Sequence, residues 1–266
     1  LSGRGFESGV GDGAAAPGPY LTPAEEERQA AAYAAHRREL YRALGLAPAA
    51  RVLEVGCGSG VITAELAAAG RAVYGVDPRL EALAAAAGRE TDATFVAGEG
   101  NALPFRAAAF DAAVTAFTLF WLGDAGGVLK EIARVLKADG VYAALAEPDY
   151  EALVDYPPAA SSREELVAAV KRWGGDAALG RKLPALLVAA GLDVTRVGVV
   201  NSVWTPARWA REEPRELESW RRFIAPVATP ARVEALARER AAAIKAGTRL
   251  FFLPIFYALA RKSRRR

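Results

Sequence analysis

The run Val52-Leu53-Glu54-Val55-Gly56-Cys57-Gly58-Ser59-Gly60 constrains this chain more than any other part of it. An apolar strand pattern passes into alternating glycines and then into a helix, and glycines at such a turn let the backbone approach a ligand with no Cβ in the way. Short apolar runs separated by amphipathic segments follow, the alternation of parallel strands joined by crossover helices. Strands are predicted at 51–55, 72–76, 94–97, 111–115 and 141–146. The clearest helix covers 127–137, where Val128, Leu129, Ile132, Val135 and Leu136 form one stripe and Gly140 ends the following turn.

Ahead of the first strand, Thr22, Pro23 and Glu25 spell a capping box with proline at the first helical position, predicting one helix to about Leu44. Its place suggests a lid. Beyond the fifth strand the chain passes Tyr156-Pro157-Pro158 into a helix with Ser162 as cap and Glu165 three residues on, then a helix over 182–190 that stops at Gly191. Segments 193–200 and 250–259 read as two late strands, adjacent and antiparallel. Between them lies a helical insertion with starts at Thr205-Pro206 and Thr229-Pro230. The expected architecture is α/β: a Rossmann-like, doubly wound, seven-stranded sheet, mostly parallel with a C-terminal antiparallel pair, plus a helical lid. Residues 1–19 are expected to be a disordered leader and 20–48 the lid. The domain proper is assigned to 49–266, with insertions at about 150–180 and 205–247.

Composition narrows the function classes. With 266 residues, 52% apolar and 24% charged, the chain can bury a core, which excludes wholesale disorder. Its longest apolar stretch, Leu250 to Ala260, is about half of the roughly 20 residues a spanning helix needs, so no transmembrane anchor is expected. The net charge of +3 belongs to the end of the chain: Arg261, Lys262, Arg264, Arg265 and Arg266 crowd the last six positions, and without them 29 basic residues face 31 acidic ones. Nucleic acid is therefore not an expected partner. The first 19 residues lack an apolar signal core, and the single cysteine, Cys57, can form no intramolecular disulfide. Both fit a cytoplasmic location.

A dinucleotide-phosphate fingerprint, G-x-G-x-x-G, would require glycine at Val61, whereas the chain has Gly60. The acidic Glu54 before the turn also suits a cationic ligand group better than a phosphate. Here the sequence resembles the class I S-adenosylmethionine-dependent methyltransferases, in particular the small-molecule group similar to the ubiquinone and menaquinone biosynthesis enzymes. The resemblance is strong from Arg51 to Glu147. It implies S-adenosylmethionine as cofactor, with Gly56, Cys57, Gly58 and Gly60 beneath its methionine part and Glu54 near its amino or sulfonium end. It further implies that Asp77 accepts hydrogen bonds from the ribose hydroxyls and that Pro78 lies against the adenine. The segment Gly98-Glu99-Gly100-Asn101-Ala102-Leu103-Pro104-Phe105 is similar to the family's G-D-A-x-x-L-P-F element, which puts Glu99 and Gly100 at the adenine edge although both depart from that pattern. Thr115 and Ala116 would line the methionine moiety. From the lid, Tyr20 would reach the site and Arg28 the cofactor carboxylate.

Absent patterns bear on the acceptor. Thr115-Ala116-Phe117-Thr118 stands where base-methylating relatives carry an Asn/Asp-Pro-Pro-aromatic tetrad, and Leu119-Phe120-Trp121-Leu122 has no histidine. The resemblance therefore implies methyl transfer to a small apolar molecule, with Phe120 and Trp121 as the acceptor wall and Glu147 or Asp149 as candidate base. His36, the only histidine, is expected on a helix surface, Cys57 as a small packing residue without nucleophilic activation, and no metal site is expected. The other readings are an NAD-dependent oxidoreductase and a noncatalytic relative that keeps the cofactor pocket.

Overall fold

The computed structural model describes residues 20–200 and 203–263. The expected leader, 1–19, and the last three arginines lie outside the described residues. Strands β1 (Arg51–Val55), β2 (Ala72–Asp77), β3 (Thr94–Ala97), β4 (Phe110–Thr115) and β5 (Leu136–Pro148) pair in parallel. Two later strands, β7 (Leu192–Val200) and β10 (Ile255–Lys262), join antiparallel, giving the order β3-β2-β1-β4-β5-β10-β7. This is the expected seven-stranded sheet. The central strands are apolar on both faces because both are covered. Helices α2 (Ala34–Leu44) and α3 (Val61–Ala68) pack Leu40, Leu44 and Leu66 against Val52, Val73 and Val114 on one face. On the other, α5 (Ala125–Val135) and α7 (Leu179–Ala189) bury Leu129, Ile132, Leu183 and Leu187 against Leu53, Phe110 and Tyr142.

Four features differ from the sequence reading. The first helix is two: α1 (Pro23–Ala32) keeps the Thr22–Glu25 capping box, but the chain bends at Tyr33, whose ring packs on Phe117 at 5.4 Å, before α2 begins. The strand expected over 250–259 is also two. It breaks at Leu253-Pro254, since proline cannot supply the ladder N–H, leaving β9 (Leu250–Phe252) ahead of β10. β9 sits between β6 (Val154–Tyr156) and β8 (Val203–Trp204) in a second, three-stranded sheet. Finally, Ser162 precedes α6 (Arg163–Arg172) without capping it; its hydroxyl accepts the Trp220 indole N–H at 3.0 Å. That bond joins α6 to the insertion formed by α8 (Pro206–Ile224) and α9 (Pro230–Lys245), where Leu166, Trp220, Ile224 and Leu236 form a core of their own. Both Thr-Pro starts cap as expected, through Thr205 and Thr229. Among the described residues no helix is long and apolar enough to cross a membrane.

Candidate functional site

The site forms where β1 and β2 end. Gly56, Gly58 and Gly60 all have positive φ, at 74°, 52° and 76°, so the turn depends on glycine. The N–H groups of Gly56 and Cys57 donate to the Val76 carbonyl at 2.8 and 3.0 Å, tying the turn to β2. The glycines face different surroundings. A Cβ on Gly56 would lie 2.4 Å from the Thr118 methyl, and one on Gly60 would lie 2.7 Å from the Phe95 ring, so these two are packing positions. Gly58 is buried beneath α1, where the three atoms nearest to a Cβ belong to the Glu26 carboxyl group, at 2.7 to 3.0 Å.

Asp77 closes β2 beside this turn and is almost completely buried. Its Oδ2 accepts the Gly58 N–H at 2.9 Å, while Oδ1 accepts the Arg79 backbone N–H at 3.0 Å and Nε at 3.2 Å. Helix α1 lies across the pair. Glu26 Oε2 accepts the Ser59 N–H at 2.7 Å, and Oε1 stands 3.4 Å from the Arg79 guanidinium. The acids on either side hold the helix down: Glu25 pairs with Arg222 of α8 at 2.6 Å, and Glu27 with Arg89 at 2.9 Å. Burial alone would push the Glu25 carboxyl up, but hydrogen bonds from Ser219, the Thr22 backbone and Arg222 together bring it down to about 2. Tyr20 completes the strap, its ring 4.3 Å from the Arg79 guanidinium and edge-on to Trp121 at 6.5 Å. Glu26 and Arg79 were not singled out in the sequence. Their only signal there was an acidic triplet behind a helix cap and an arginine two places after the strand-ending aspartate.

The remaining expected residues divide. Tyr20, Gly58, Asp77 and Trp121 come together at the open end of the sheet, and Pro78 is exposed beside them. Arg28 is half-buried on α1, donates to the Ala24 carbonyl at 3.2 Å, and has a buried Nε without a hydrogen-bond partner among the described residues. Glu99 is exposed. Gly100 is packed so closely on Val128 and Val55 that a Cβ would stand 3.2 and 3.3 Å from their methyls, which explains glycine there. Glu54, Thr115 and Cys57 lie in buried settings. Glu54 points under the turn, accepting a bond from the Thr63 hydroxyl of α3, and burial pushes its carboxyl up to about 8. Thr115 is fully buried, its hydroxyl 2.7 Å from that of Tyr142, while Ala116 beyond it is half-buried. Cys57 packs against Gly75, and burial raises its thiol, in keeping with a packing role.

Neither candidate base is free. Glu147 is completely buried and accepts hydrogen bonds from the backbone of Thr118, Leu119 and Phe120. Asp149 is completely buried as well, held by Arg181 with contacts of 2.5 and 2.8 Å and by the Ala152 N–H at 3.0 Å. His36 is half-buried rather than on the surface; its ring lies 4.8 Å from that of Tyr257, and burial lowers its pKa. Around Trp121 the structure adds two aromatic residues that the sequence did not connect, Phe223 of α8 at 5.8 Å and Tyr150, which stacks on Phe223 at 6.3 Å, beside the expected Phe120 at 4.3 Å. Among the described residues no group of three His, Cys, Asp or Glu side chains is placed to hold a metal ion.

Comparison with known proteins places the center of the chain. Residues 53–144, from β1 through most of β5, match the profile of the methyltransferase domain family. Over 104 residues the chain is 41% identical to demethylmenaquinone methyltransferase from Corynebacterium kroppenstedtii and 40% identical to that from Mycobacterium sp. strain KMS; in each case the alignment covers 39% of this chain and 44% of the relative. The chain thus spans less than half the length of the curated relatives it matches. Among solved structures, a putative sarcosine dimethylglycine methyltransferase from Galdieria sulphuraria superposes with a TM-score of 0.58 at 18% identity, covering 90% of this chain and 88% of that one. The [4+2]-cyclase SpnF gives a TM-score of 0.57 at 21% identity, over 93% and 84%. At such identities the likeness establishes the fold, and a cyclase on the same fold shows that the fold does not choose the reaction.

Proposed function

We propose that this chain transfers a methyl group from S-adenosylmethionine to a small, apolar, aromatic acceptor. The observation that carries the reading is the union of Gly58 and Asp77: a positive-φ glycine covered by the Glu26 carboxylate of α1, bonded through its N–H to the carboxylate that ends the next strand. In an open α/β sheet, ligands sit outside these strand ends. The residues fit the cofactor, because the Ser59 N–H at the head of the turn already binds a carboxylate, that of Glu26. A cofactor bearing a carboxylate, a ribose diol and a cationic sulfur finds there an N–H donor, the acceptor Asp77 and, once Glu26 withdraws, the space beside Gly58. Val61, where a pyrophosphate cradle needs glycine, speaks against a nicotinamide cofactor.

When bound, S-adenosylmethionine supplies a methyl group already activated for in-line displacement. What remains for the chain is alignment and exclusion of water. Trp121, Tyr150 and Phe223, half-buried and backed by the buried Phe120, form an aromatic cluster suited to stacking a planar ring. The likeness to demethylmenaquinone methyltransferases supports a quinone-type ring as that acceptor. Helix α1 is the lid in this reading. It leaves the turn to admit the cofactor, since Glu26 fills the place beside Gly58. Incubation with methyl-labelled S-adenosylmethionine and a series of naphtho- and benzohydroquinones, read by mass spectrometry, tests the proposal. Label on at least one ring supports it; cofactor binding with no label on any of them contradicts it.

A further inference from the structure

We infer that Glu147 is a positioning residue, clamping the turn that joins the glycine loop to the aromatic wall. The inference rests on the methyl-transfer reading for its purpose, but its geometry stands apart from it. Glu147, near the end of β5, is completely buried. Its Oε1 accepts the N–H groups of Thr118 at 3.3 Å and Leu119 at 3.1 Å, and its Oε2 that of Phe120 at 3.2 Å. The Thr115 hydroxyl is a further donor, 3.3 Å from Oε1. Three successive backbone donors from the 3₁₀ turn Leu119–Trp121 and its approach therefore converge on one side chain.

The clamped segment is strained. Phe117 has a φ of 52°, in the left-handed region that a residue other than glycine seldom occupies. Its N–H donates to the Ala146 carbonyl at 2.7 Å, so consecutive β5 residues, 146 and 147, hold the segment from 117 to 120. Such strain persists only where the surroundings over-determine it. The two ends of the segment serve different parts of the site. At one end the Thr118 side chain fills the space over Gly56, with its hydroxyl 3.4 Å from the Gly56 carbonyl. At the other, Phe120 and Trp121 present their rings to Tyr150 and Phe223. Glu147 holds the acceptor wall by the Phe120 N–H and, through Thr118, sets its distance from Gly56.

Burial raises the Glu147 carboxyl to about 7 against the pull of its hydrogen bonds. The titratable group facing it is Tyr142, linked through Thr115 and itself raised by burial, so Tyr142 stays neutral across the working range. The ionized carboxylate offers all its lone pairs to the converging donors. A proton, taken up as the pH falls through 7, removes part of that capacity and loosens the turn.

The test uses the full-length protein with 5-fluorotryptophan and ¹⁹F NMR, the Trp121 signal being assigned through Trp121→Phe. In the native protein this signal should shift with a midpoint near pH 7. In Glu147→Gln it should be displaced and independent of pH from 6 to 8, while the signals of Trp209 and Trp220 stay in place. Thr115→Val, nearly isosteric, removes one hydrogen bond that favors the ionized form, so it should move the midpoint upward; it serves where Glu147→Gln does not fold. A Trp121 signal with the native position and pH response in folded Glu147→Gln, or an unmoved midpoint in Thr115→Val, overturns the inference. These readings need neither cofactor nor acceptor, so they fail or succeed separately from the methyl-transfer proposal. If 1,4-naphthohydroquinone is an acceptor, Glu147→Gln should raise its KM about tenfold and leave S-adenosylmethionine affinity within about twofold. Equal loss of both would mean that the residue serves only the fold.

Discussion

Replacing Glu26 by alanine should make the cofactor bind more tightly, although Glu26 touches the very turn the cofactor needs. The Glu26 carboxylate is seated beside Gly58, with a charge-assisted bond of 2.7 Å from the Ser59 N–H and a looser approach of 3.4 Å to the Arg79 guanidinium. Hydrogen bonds to charged groups contribute roughly 1.5 to 3 kcal/mol, and a partly exposed ion pair at most about 1 kcal/mol. Discounted for solvent screening, about 2 kcal/mol of the strap's hold on the turn would be lost in Glu26→Ala. If the strapped form dominates without ligand, apparent affinity is set by the small competent fraction. A change of 2 kcal/mol corresponds to about thirtyfold. Isothermal titration of native and Glu26→Ala protein with S-adenosylhomocysteine measures it. Alanine favors helix, and the Thr22–Glu25 box remains, so α1 should survive the change. An affinity equal to or weaker than that of the native protein would refute the reasoning and mark Glu26 as part of the cofactor's own shell.

Two further expectations follow from buried groups at the turn. Glu54 has a folded pKa of about 8 against an unfolded value near 4.5, so its favorable, protonated contribution is complete below pH 4.5 and fades as the pH rises toward 8. Urea unfolding of Glu54→Gln should therefore show a stability gain over the native protein that grows across this window, on the order of 4 kcal/mol at its upper end; a gain independent of pH would show that burial does not govern this carboxyl. Gly60→Ala should cost about 2 to 4 kcal/mol, because the new Cβ meets the Phe95 ring at 2.7 Å and Ala86 at 2.9 Å in a left-handed backbone. Gly58→Ala, whose Cβ lies nearest the flexible end of Glu26, should cost about 1 kcal/mol yet weaken cofactor binding. Equal melting temperatures for the two variants would contradict this division of roles.

The sheet was legible because its information is local. Val52, Leu53 and Val55 mark a buried strand, the glycines after it allow one kind of turn, and the Thr-Pro pairs at 205 and 229 announce helices that begin where expected. The second sheet was not legible. Two of its strands, β6 and β8, are only three and two residues long, and the third is cut from β10 by Pro254. Nor does any glycine or proline announce the bend at Tyr33, which comes with packing on Phe117, 84 positions away. The same distance in sequence hides part of the site. An acid at the end of a strand, Glu147, reads as a base until the N–H groups of residues 118–120 are seen to converge on it. Arg79 and Glu26, 53 positions apart, look like ordinary surface charges until α1 is laid over the turn.

Cofactor binding at the union of Gly58 and Asp77 is the claim on which the functional account depends, and calorimetric titration of native and Asp77→Asn protein tests it most directly. Asp77 accepts the Gly58 N–H directly, and its loss of charge removes charge-assisted acceptors worth roughly 1.5 to 3 kcal/mol each. The native protein should bind S-adenosylmethionine and not NAD, and Asp77→Asn should bind it at least about tenfold more weakly with its melting temperature nearly retained. Unchanged S-adenosylmethionine affinity in folded Asp77→Asn, or tight binding of NAD by the native protein, would contradict the account.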